Sequence, residues 1–164
     1  MMFVTNHDEN SWNGTIAERM GANGDAMAML AGTLFGMPLV YSGQEAGISK
    51  RLRFFEKDTV IWGDYSKTNL YQTINALHHD EEALWNGPFG GWPELIPTDF
   101  SDEVVAWKRT KGVSEVVVAS NFGNENRVVA VGIDTTYAIA WGDIEPAGQV
   151  EVPAHQTLVW KKKP

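Results

Sequence analysis

Two short polar clusters contain the residues of this chain whose types could bind a ligand or act on it. Asn6, His7 and Asp8 end the segment MFVTNHD, and Gln44 and Glu45 follow the apolar run PLVY. An isolated His-Asp pair is commonly a turn hydrogen bond, so the elements around the pair decide what it means. If both runs are parallel strands, their carboxyl ends lie where α/β proteins bind ligands. We therefore expect the two clusters to face one region.

The elements that would position these clusters form a βαβα unit. Residues 2–8 and 38–41 each predict a short buried strand, and residues 26–35 between them, AMAMLAGTLF, predict a helix that is apolar on all sides. A strand, a buried helix and a strand in this order indicate two parallel strands joined by a crossover. Ser66 begins a second helix, whose apolar residues follow helical spacing: Leu70, Ile74, Leu77 and Leu84.

The sequence becomes rich in short β-type runs after about Leu95. The runs recur at intervals of about ten residues and are separated by turn residues, a pattern typical of an antiparallel β-sandwich. They are VVAWKR from Val104, EVVVAS from Glu115, RVVAVGI from Arg127, YAIAW from Tyr137 and TLVWK from Thr157. We therefore predict two units, an α/β unit over residues 1–94 and an all-β sandwich domain over residues 95–164.

The composition excludes several classes of function. Thirteen basic and twenty-one acidic residues give a formal net charge of −8, which argues against a nucleic-acid-binding protein because phosphate binding needs clustered lysine and arginine. The absence of cysteine excludes disulfides and thiolate chemistry, and no run of eighteen apolar residues predicts a membrane span. The sequence has no phosphate loop and no dinucleotide fingerprint. We predict no cofactor in this chain, and neither a nucleic acid nor a membrane as its partner.

The two polar clusters and their neighbours resemble the end of the catalytic barrel in the α-amylase family, glycoside hydrolase family 13. Enzymes of that family have a strand that ends in Asn-His-Asp, as FVTNHDEN does here, and a later Gly-x-Pro-x-x-Tyr-x-Gly-x-Glu segment. This chain matches that segment at Gly36, Pro38, Tyr41, Gly43 and Glu45. The helix YQTINALHHDEEAL resembles the last barrel helix, and the β-rich remainder resembles the C-terminal sandwich domain. The resemblance implies the last βαβα portion of a TIM-type (β/α)8 barrel followed by an antiparallel β-sandwich.

The resemblance also implies roles for individual residues. His7 and Asp8 match the residues that hydrogen-bond hydroxyls of the sugar ring at the cleavage point. Asp8 matches the carboxylate that helps to hold this ring distorted and favours the oxocarbenium-like transition state of a retaining enzyme. Trp12 lies in the loop just after Asp8, where we predict that its ring stacks on a sugar. The implied substrate is an α-1,4-glucan or a maltooligosaccharide.

The nucleophile and the general acid of such enzymes are two further carboxylates, about 5 Å apart in retaining enzymes. In the family they come from a Gly-x-Arg-x-Asp segment and from a glutamate at a later strand end, and neither motif occurs in this sequence. Four other carboxylates are candidates by charge alone, with no motif to support them: Glu9, Glu45, Asp58 and Asp64. We expect this chain to be a C-terminal fragment of such an enzyme and inactive alone. A calcium ion is implied only for the full-length parent.

Two other functions fit the same residues. Seven tryptophans favour a non-catalytic carbohydrate-binding or interaction module, in which the sandwich would be the working part and would expose aromatic rings on one face. The unpaired edges of a two-stranded parallel sheet favour a complementation fragment, because such an edge is a template for association. The partner would be the missing N-terminal portion of the barrel or a second copy of this chain.

Overall fold

The computed structural model describes all 164 residues, Met1–Pro164, as three α-helices, several single turns and seven strands. The helices are α1 (Ile16–Met20), α2 (Gly24–Thr33) and α3 (Thr68–Asp80). The strands are β1 (Pro93–Ile96), β2 (Val104–Lys111), β3 (Ser114–Asn121), β4 (Arg127–Ala130), β5 (Tyr137–Trp141), β6 (Gln149–Val152) and β7 (Gln156–Lys162). None of the helices combines the length and the apolar character needed to span a membrane.

The strands form two antiparallel sheets that face each other. Five strands pair in the order β1-β2-β3-β7-β5, and β4 pairs with β6 alone. Apolar side chains from the facing sides form one core, which includes Ala119, Val152, Leu158 and Trp160. The prediction of an antiparallel β-sandwich is confirmed, and its five β-rich runs correspond to five of the seven strands.

The central strands of the larger sheet are buried on both faces. Along β3, Val117 and Ala119 contribute to the core between the sheets, whereas Val116 and Val118 belong to a second core shared with the helices. Successive side chains of a strand point to opposite faces, so a strand buried on both sides is apolar without interruption. This explains the continuous run EVVVAS, because a strand with one solvated face would alternate between apolar and polar residues.

Helices α2 and α3 cover the outer face of the larger sheet. Helix α2 is apolar on all sides because it lies between α3 and the sheet, and it begins and ends two residues earlier than predicted. The two helices approach closely at Gly32, where a Cβ atom would lie 2.6 Å from Cγ2 of Ile74. One core therefore spans both predicted units, and the boundary between residues 94 and 95 stays a prediction.

Buried Arg109 of β2 connects the helices to the sandwich. Its guanidinium donates hydrogen bonds to the backbone carbonyls of Thr33 at 3.2 Å, Leu34 at 3.0 Å, Trp85 at 3.0 Å and Gly91 at 2.7 Å. Two of these carbonyls end α2, where a helix leaves acceptors unpaired and where its dipole favours a cation. Burial lowers the pKa of Arg109 to about 10, so the side chain remains charged at neutral pH.

The two predicted parallel strands are reduced to a single bridge. Met2 pairs with Pro38 in the parallel sense, through two backbone hydrogen bonds of 2.8 Å. Pairing does not extend along the chain: Arg19 Nη1 donates to the Val4 carbonyl oxygen at 3.1 Å, and the Tyr41 N–H donates to the Gln44 side chain instead of to a neighbouring strand. The prediction of two full strands is therefore wrong, and the assignment of this part to the end of a barrel stays a prediction.

Helix α3 is shorter than the apolar spacing predicted. It begins at Thr68, so Ser66 does not cap it, and it ends at Asp80 because Glu81 adopts an extended conformation. Leu84 is buried in a separate 3₁₀ turn, Glu82–Leu84. The remaining predicted core positions of the helix are buried as expected: Leu70, Ile74 and Leu77.

Candidate functional site

His7 and Asp8 lie at the start of a tight helical turn on the surface. The Asn6 side chain accepts a hydrogen bond from the Glu9 backbone N–H at 2.8 Å, which begins the turn. A π-helical turn follows at Glu9–Asn13 and is closed at Gly14, whose φ of 126° favours glycine. The turn leaves both side chains in solvent, with 69% of the His7 side chain and 58% of the Asp8 side chain exposed. They are 3.5 Å apart, Nε2 to Oδ2, and are available to a ligand.

Three aromatic rings lie beside this pair and form what we call the aromatic platform: Trp12, Phe54 and Phe55. The Phe54 ring stacks against the His7 ring, with 5.9 Å between centroids and 23° between planes. Trp12 lies 5.2 Å from Phe54 and 6.0 Å from Phe55, and the two phenylalanines meet edge to face at 4.8 Å. The rings are 57%, 39% and 84% exposed in the order Trp12, Phe54 and Phe55. Trp12 is therefore exposed beside His7 and Asp8, and its stacking on a sugar stays a prediction.

Buried Asn10 attaches the Phe54 loop, residues 50–59, to the turn that carries His7 and Asp8. Its side-chain amide donates to the Lys50 carbonyl oxygen at 3.2 Å, and its side-chain oxygen accepts from the Leu52 N–H at 2.7 Å. These two bonds imitate the pairing of one strand residue with another. They fix the backbone of the loop just before the two phenylalanines.

Ion pairs close the Phe54 loop on itself and against α1. Asp58 pairs with Lys50 and also accepts from the Arg53 N–H at 3.0 Å, and the Lys50 ammonium is the main cause that lowers the pKa of Asp58 far below its usual range. Arg51 donates to Glu18 at 2.9 Å, and this bond lowers the pKa of Glu18 to about 2. The loop is therefore ordered by local charges as well as by Asn10.

The sequence predicted that Gln44 and Glu45 would face the same region as His7 and Asp8. In the structure, Gln44 and Glu45 do not form a shared site with that pair. Gln44 is buried: its side-chain oxygen accepts from the Tyr41 N–H, and its amide donates to the Tyr71 hydroxyl at 2.7 Å. Burial raises the pKa of Tyr71 to about 12, so that hydroxyl stays neutral. Glu45 accepts from the Gly43 N–H at 3.1 Å. Gln44 therefore connects its turn to α3 through Tyr71, and Glu45 stabilises the local backbone.

The remaining candidate carboxylates are also engaged in local contacts. Glu9 pairs with Arg19 at 2.9 Å, Asp58 closes the Phe54 loop, and Asp64 accepts from the Ser66 N–H at 3.0 Å. No group of three histidine, aspartate or glutamate side chains is arranged to hold a metal ion. The arrangement at His7, Asp8 and the aromatic platform can thus bind a ligand through hydrogen bonds and stacking.

A groove of about 600 Å³ runs along the aromatic platform, lined by Ser11, Trp12 and residues 51–56. Sequence reasoning assigned no role to Asn10, Phe54 or Phe55. The signal for the two phenylalanines was present in the run RLRFFEK, in which adjacent aromatic residues stand between charges in an irregular stretch.

Comparison with known proteins identifies relatives of the chain. No protein-family model matches it. Among curated proteins, it is 32% identical over 139 residues to Alpha-amylase MalA from Haloarcula japonica, an alignment that covers 82% of this chain and 20% of that protein. The chain thus spans about one fifth of the length of that relative.

Solved structures share the fold over almost the whole chain. An α-amylase from Lactobacillus plantarum superposes with a TM-score of 0.71 and 16% identity, over 99% of this chain and 38% of that one. The maltogenic α-amylase AmyB from Thermotoga neapolitana gives 0.70 and 18%, over 98% and 40%. A debranching enzyme from Nostoc punctiforme gives 0.69 and 17%, over 96% and 32%. At these identities the likeness shows the fold.

The curated relative and the shared fold confirm the resemblance that the Asn6–Asp8 and Gly36–Glu45 motifs predicted. We conclude that this chain corresponds, in sequence similarity and in fold, to a C-terminal region of the α-amylase family.

Proposed function

We propose that this chain supplies a substrate-contacting edge of an α-glucan site, in which His7 and Asp8 bind the sugar ring at the cleaved bond. The observation that carries the proposal is the exposure of this pair beside three aromatic rings. An ionised carboxylate accepts hydrogen bonds from several hydroxyls at once, and an imidazole contributes one donor or acceptor on each nitrogen. The surface therefore offers both the polar and the apolar contacts that a sugar requires.

The proposed substrate is an α-1,4-glucan or a maltooligosaccharide. Relatives and structural neighbours are called α-amylases, a debranching enzyme and a cyclomaltodextrinase. In a retaining reaction Asp8 would hold the ring distorted while two other carboxylates perform the chemistry. The 164 residues contain neither of the motifs that carry those carboxylates, so we propose that they do not hydrolyse glucans alone.

The test is a titration of the 164-residue chain with maltoheptaose, in which binding is monitored through the chemical shifts of the backbone amides. We expect the His7 and Asp8 signals to move, and we expect Asp8→Asn to weaken binding by about tenfold or more, because a charge-assisted hydrogen bond is lost. Asp80→Asn is the matched control, since His79–Asp80 is a second exposed His-Asp pair, with the same 58% exposure of the aspartate side chain. Unmoved signals at residues 7 and 8 would overturn the proposal, as would release of reducing sugar by this chain.

A second candidate function, complementation of a barrel by another chain, is favoured by the apolar edge beside the Met2–Pro38 bridge. Phe3, Met37 and Val40 expose large apolar side chains there, and an unpaired strand edge invites pairing. Light scattering over a range of concentrations tests association with a second copy. A particle of 18.2 kDa at every concentration contradicts that form of the candidate.

The alternative of a carbohydrate-binding module built on the sandwich has weaker support. Trp107 and Trp160 lie in its strands, and both are completely buried. A ring without an exposed face cannot stack on a sugar. We therefore keep the glucan-contacting role for the surface around His7 and Asp8.

A further inference from the structure

We propose that a pocket between α1 and the N-terminal ends of α2 and α3 binds a neutral sugar of the size of one hexose. This pocket, which we call the Tyr71 pocket, has a volume of about 310 Å³, at the small end of the range found for ligand sites. None of its lining residues belongs to the surface around His7, Asp8 and the aromatic platform. The inference goes beyond the proposed function and does not depend on it.

The buried floor of the Tyr71 pocket holds a hydroxyl donor that the chain itself does not use. Tyr71 and Gln44 line the pocket, and both are more than nine-tenths buried. The Gln44 side-chain oxygen accepts from the Tyr41 N–H, so its amide nitrogen faces Tyr71 and donates to the hydroxyl oxygen at 2.7 Å. The hydroxyl is an acceptor in this bond, its only one within the chain. Its own hydrogen is therefore available to an acceptor oxygen of a ligand.

The charges around the pocket favour a neutral ligand over a charged one. Asp25, in the first turn of α2, lines the pocket and pairs with Lys67 at 2.7 Å. Burial is the main cause that raises the pKa of Tyr71, and the charges of Asp25 and Glu45 raise it further. Two carboxylates and one ammonium leave a net negative charge near the hydroxyl, which disfavours an anion. A cation would have to compete with Lys67 for Asp25.

Sugar hydroxyls match the polar groups that the pocket offers. One hydroxyl of a sugar can accept a hydrogen bond from the Tyr71 O–H, and the same or a neighbouring hydroxyl can donate to the half-exposed Asp25 carboxylate. The apolar lining includes Ile16, Ala22 and Ile48, which suits the C–H faces of a pyranose. A few polar groups among apolar walls are typical of a small-molecule site.

The pocket is held in shape by contacts among its own walls. A capping box of Thr15 and Glu18 begins α1, and the Lys67 N–H donates to the Glu45 carbonyl oxygen at 3.1 Å. The Lys67–Asp25 pair connects the N-terminal ends of α3 and α2. A site that is ordered in the free protein loses less conformational entropy when the ligand binds.

The experiment titrates the 164-residue chain with glucose and with glucuronate, a ring of the same size that carries a carboxylate, and monitors the backbone amide shifts. We expect glucose to move the signals of Ala22, Gly47 and Ser49, which line the pocket. Because of the negative charge near the hydroxyl, we expect glucuronate to bind at least about fivefold more weakly. Equal or tighter binding of glucuronate would overturn the assignment of a neutral ligand.

A first variant, Tyr71→Phe, removes the hydroxyl and keeps the ring. We expect it to bind glucose about fivefold more weakly, because one hydrogen bond to the ligand is lost. Tyr65→Phe is the matched control, since Tyr65 is exposed and lies outside the pocket, and it should leave the affinity unchanged. The amide spectrum verifies that each variant is folded.

A second variant, Ala22→Leu, tests the pocket without disturbing the core. Ala22 is exposed and lines the pocket, so a larger side chain there occupies ligand space, and we expect at least a tenfold loss of glucose affinity. Ala147→Leu is the control, because Ala147 is an exposed residue between β5 and β6. Unchanged glucose binding in Ala22→Leu would overturn the site even if Tyr71→Phe were unfolded.

The location of the shifts separates this site from the proposed function. If glucose moves the signals of residues 7 and 8 and leaves those of Ala22, Gly47 and Ser49 in place, the Tyr71 pocket is overturned and the proposed function stands. If glucose moves the pocket signals while maltoheptaose leaves residues 7 and 8 unmoved, the pocket stands and the proposed function fails.

Discussion

The sandwich and the surface around the Phe54 loop place the same kinds of side chain in opposite surroundings. In the sandwich, Trp107 and Trp160 are completely buried in strands that repeat backbone hydrogen bonds along their length. Around the loop, Trp12 and Phe55 stand in solvent, and order comes from single side-chain contacts such as those of Asn10. The comparison teaches that the aromatic rings of the sandwich stabilise the fold, whereas those around the loop are left exposed, where a ligand could reach them.

The largest expected effect on stability is the difference between truncating a buried tryptophan of the sandwich and truncating an exposed one beside the loop. Trp160→Ala removes a buried ring and the hydrogen bond from its indole N–H to the Ile144 carbonyl, so we expect the free energy of unfolding to fall by about 3–5 kcal/mol. Trp12→Ala removes an exposed ring and should change it by less than about 1 kcal/mol. Urea unfolding of both variants measures the difference. Similar losses in the two variants would mean that the platform also stabilises the fold.

A smaller effect is expected where the Phe54 loop is attached. Asn10→Ala leaves the Lys50 carbonyl and the Leu52 N–H without their partner, and we expect a loss of about 2 kcal/mol together with faster amide hydrogen exchange in residues 50–59. Asn13→Ala is the matched control, because Asn13 is exposed and bonds only to Glu9. It should change stability by less than about 0.5 kcal/mol. Unchanged exchange in the loop of the Asn10 variant would contradict the attachment.

The smallest effect is a dependence of stability on pH in the helical layer. The partly buried His78 ring hydrogen-bonds to the Gly32 carbonyl oxygen, and its pKa is lowered mainly by burial, with a smaller contribution from the charge of Arg109. As the pH falls below the unfolded pKa of about 6.5, the unfolded chain takes up a proton first. Stability therefore falls until the pH reaches the lower folded pKa.

The measurement is the urea midpoint between pH 5 and pH 8 for the original chain and two variants. His78→Gln should reduce the loss of stability below about pH 6.5. The control His79→Gln changes a neighbouring side chain that is 89% exposed and should retain the loss. An identical pH profile in all three proteins would show that His78 does not contribute.

Sequence patterns predicted the elements whose order is local or periodic. The runs from Val104, Glu115 and Tyr137 became strands, because an apolar run between turn residues carries its own signal. Strands β1 and β6 were missed because both are only four residues long. PELI begins with a proline, which is typical of turns, and half the residues of QVEV are polar. Both helices of the βαβα pattern formed, as α2 and α3. The parallel strands did not extend, because their pairing depends on neighbours outside the local pattern.

The candidate site was predictable in part for the same reason. The motif Asn6–Asp8 and the nearby Trp12 are adjacent in sequence, so the pattern could indicate a site. Asn10 contacts residues 50 and 52, about forty positions away, and no periodicity predicts which buried amide will pair with a distant backbone. The position of Phe54 beside His7 follows from that contact and emerged only from the structure.

The four carbonyls gathered by Arg109 have a consequence for modularity. One guanidinium binds the end of α2, Trp85 and Gly91 at the same time. The hydrogen bonds of Arg109 therefore constrain the orientation of the helical layer relative to the sandwich. A chimera that exchanged the sandwich for that of a relative would need an arginine at the equivalent point of its second strand. Without that arginine, the chimera would leave the four buried carbonyl oxygens without hydrogen-bond donors, which would destabilise it.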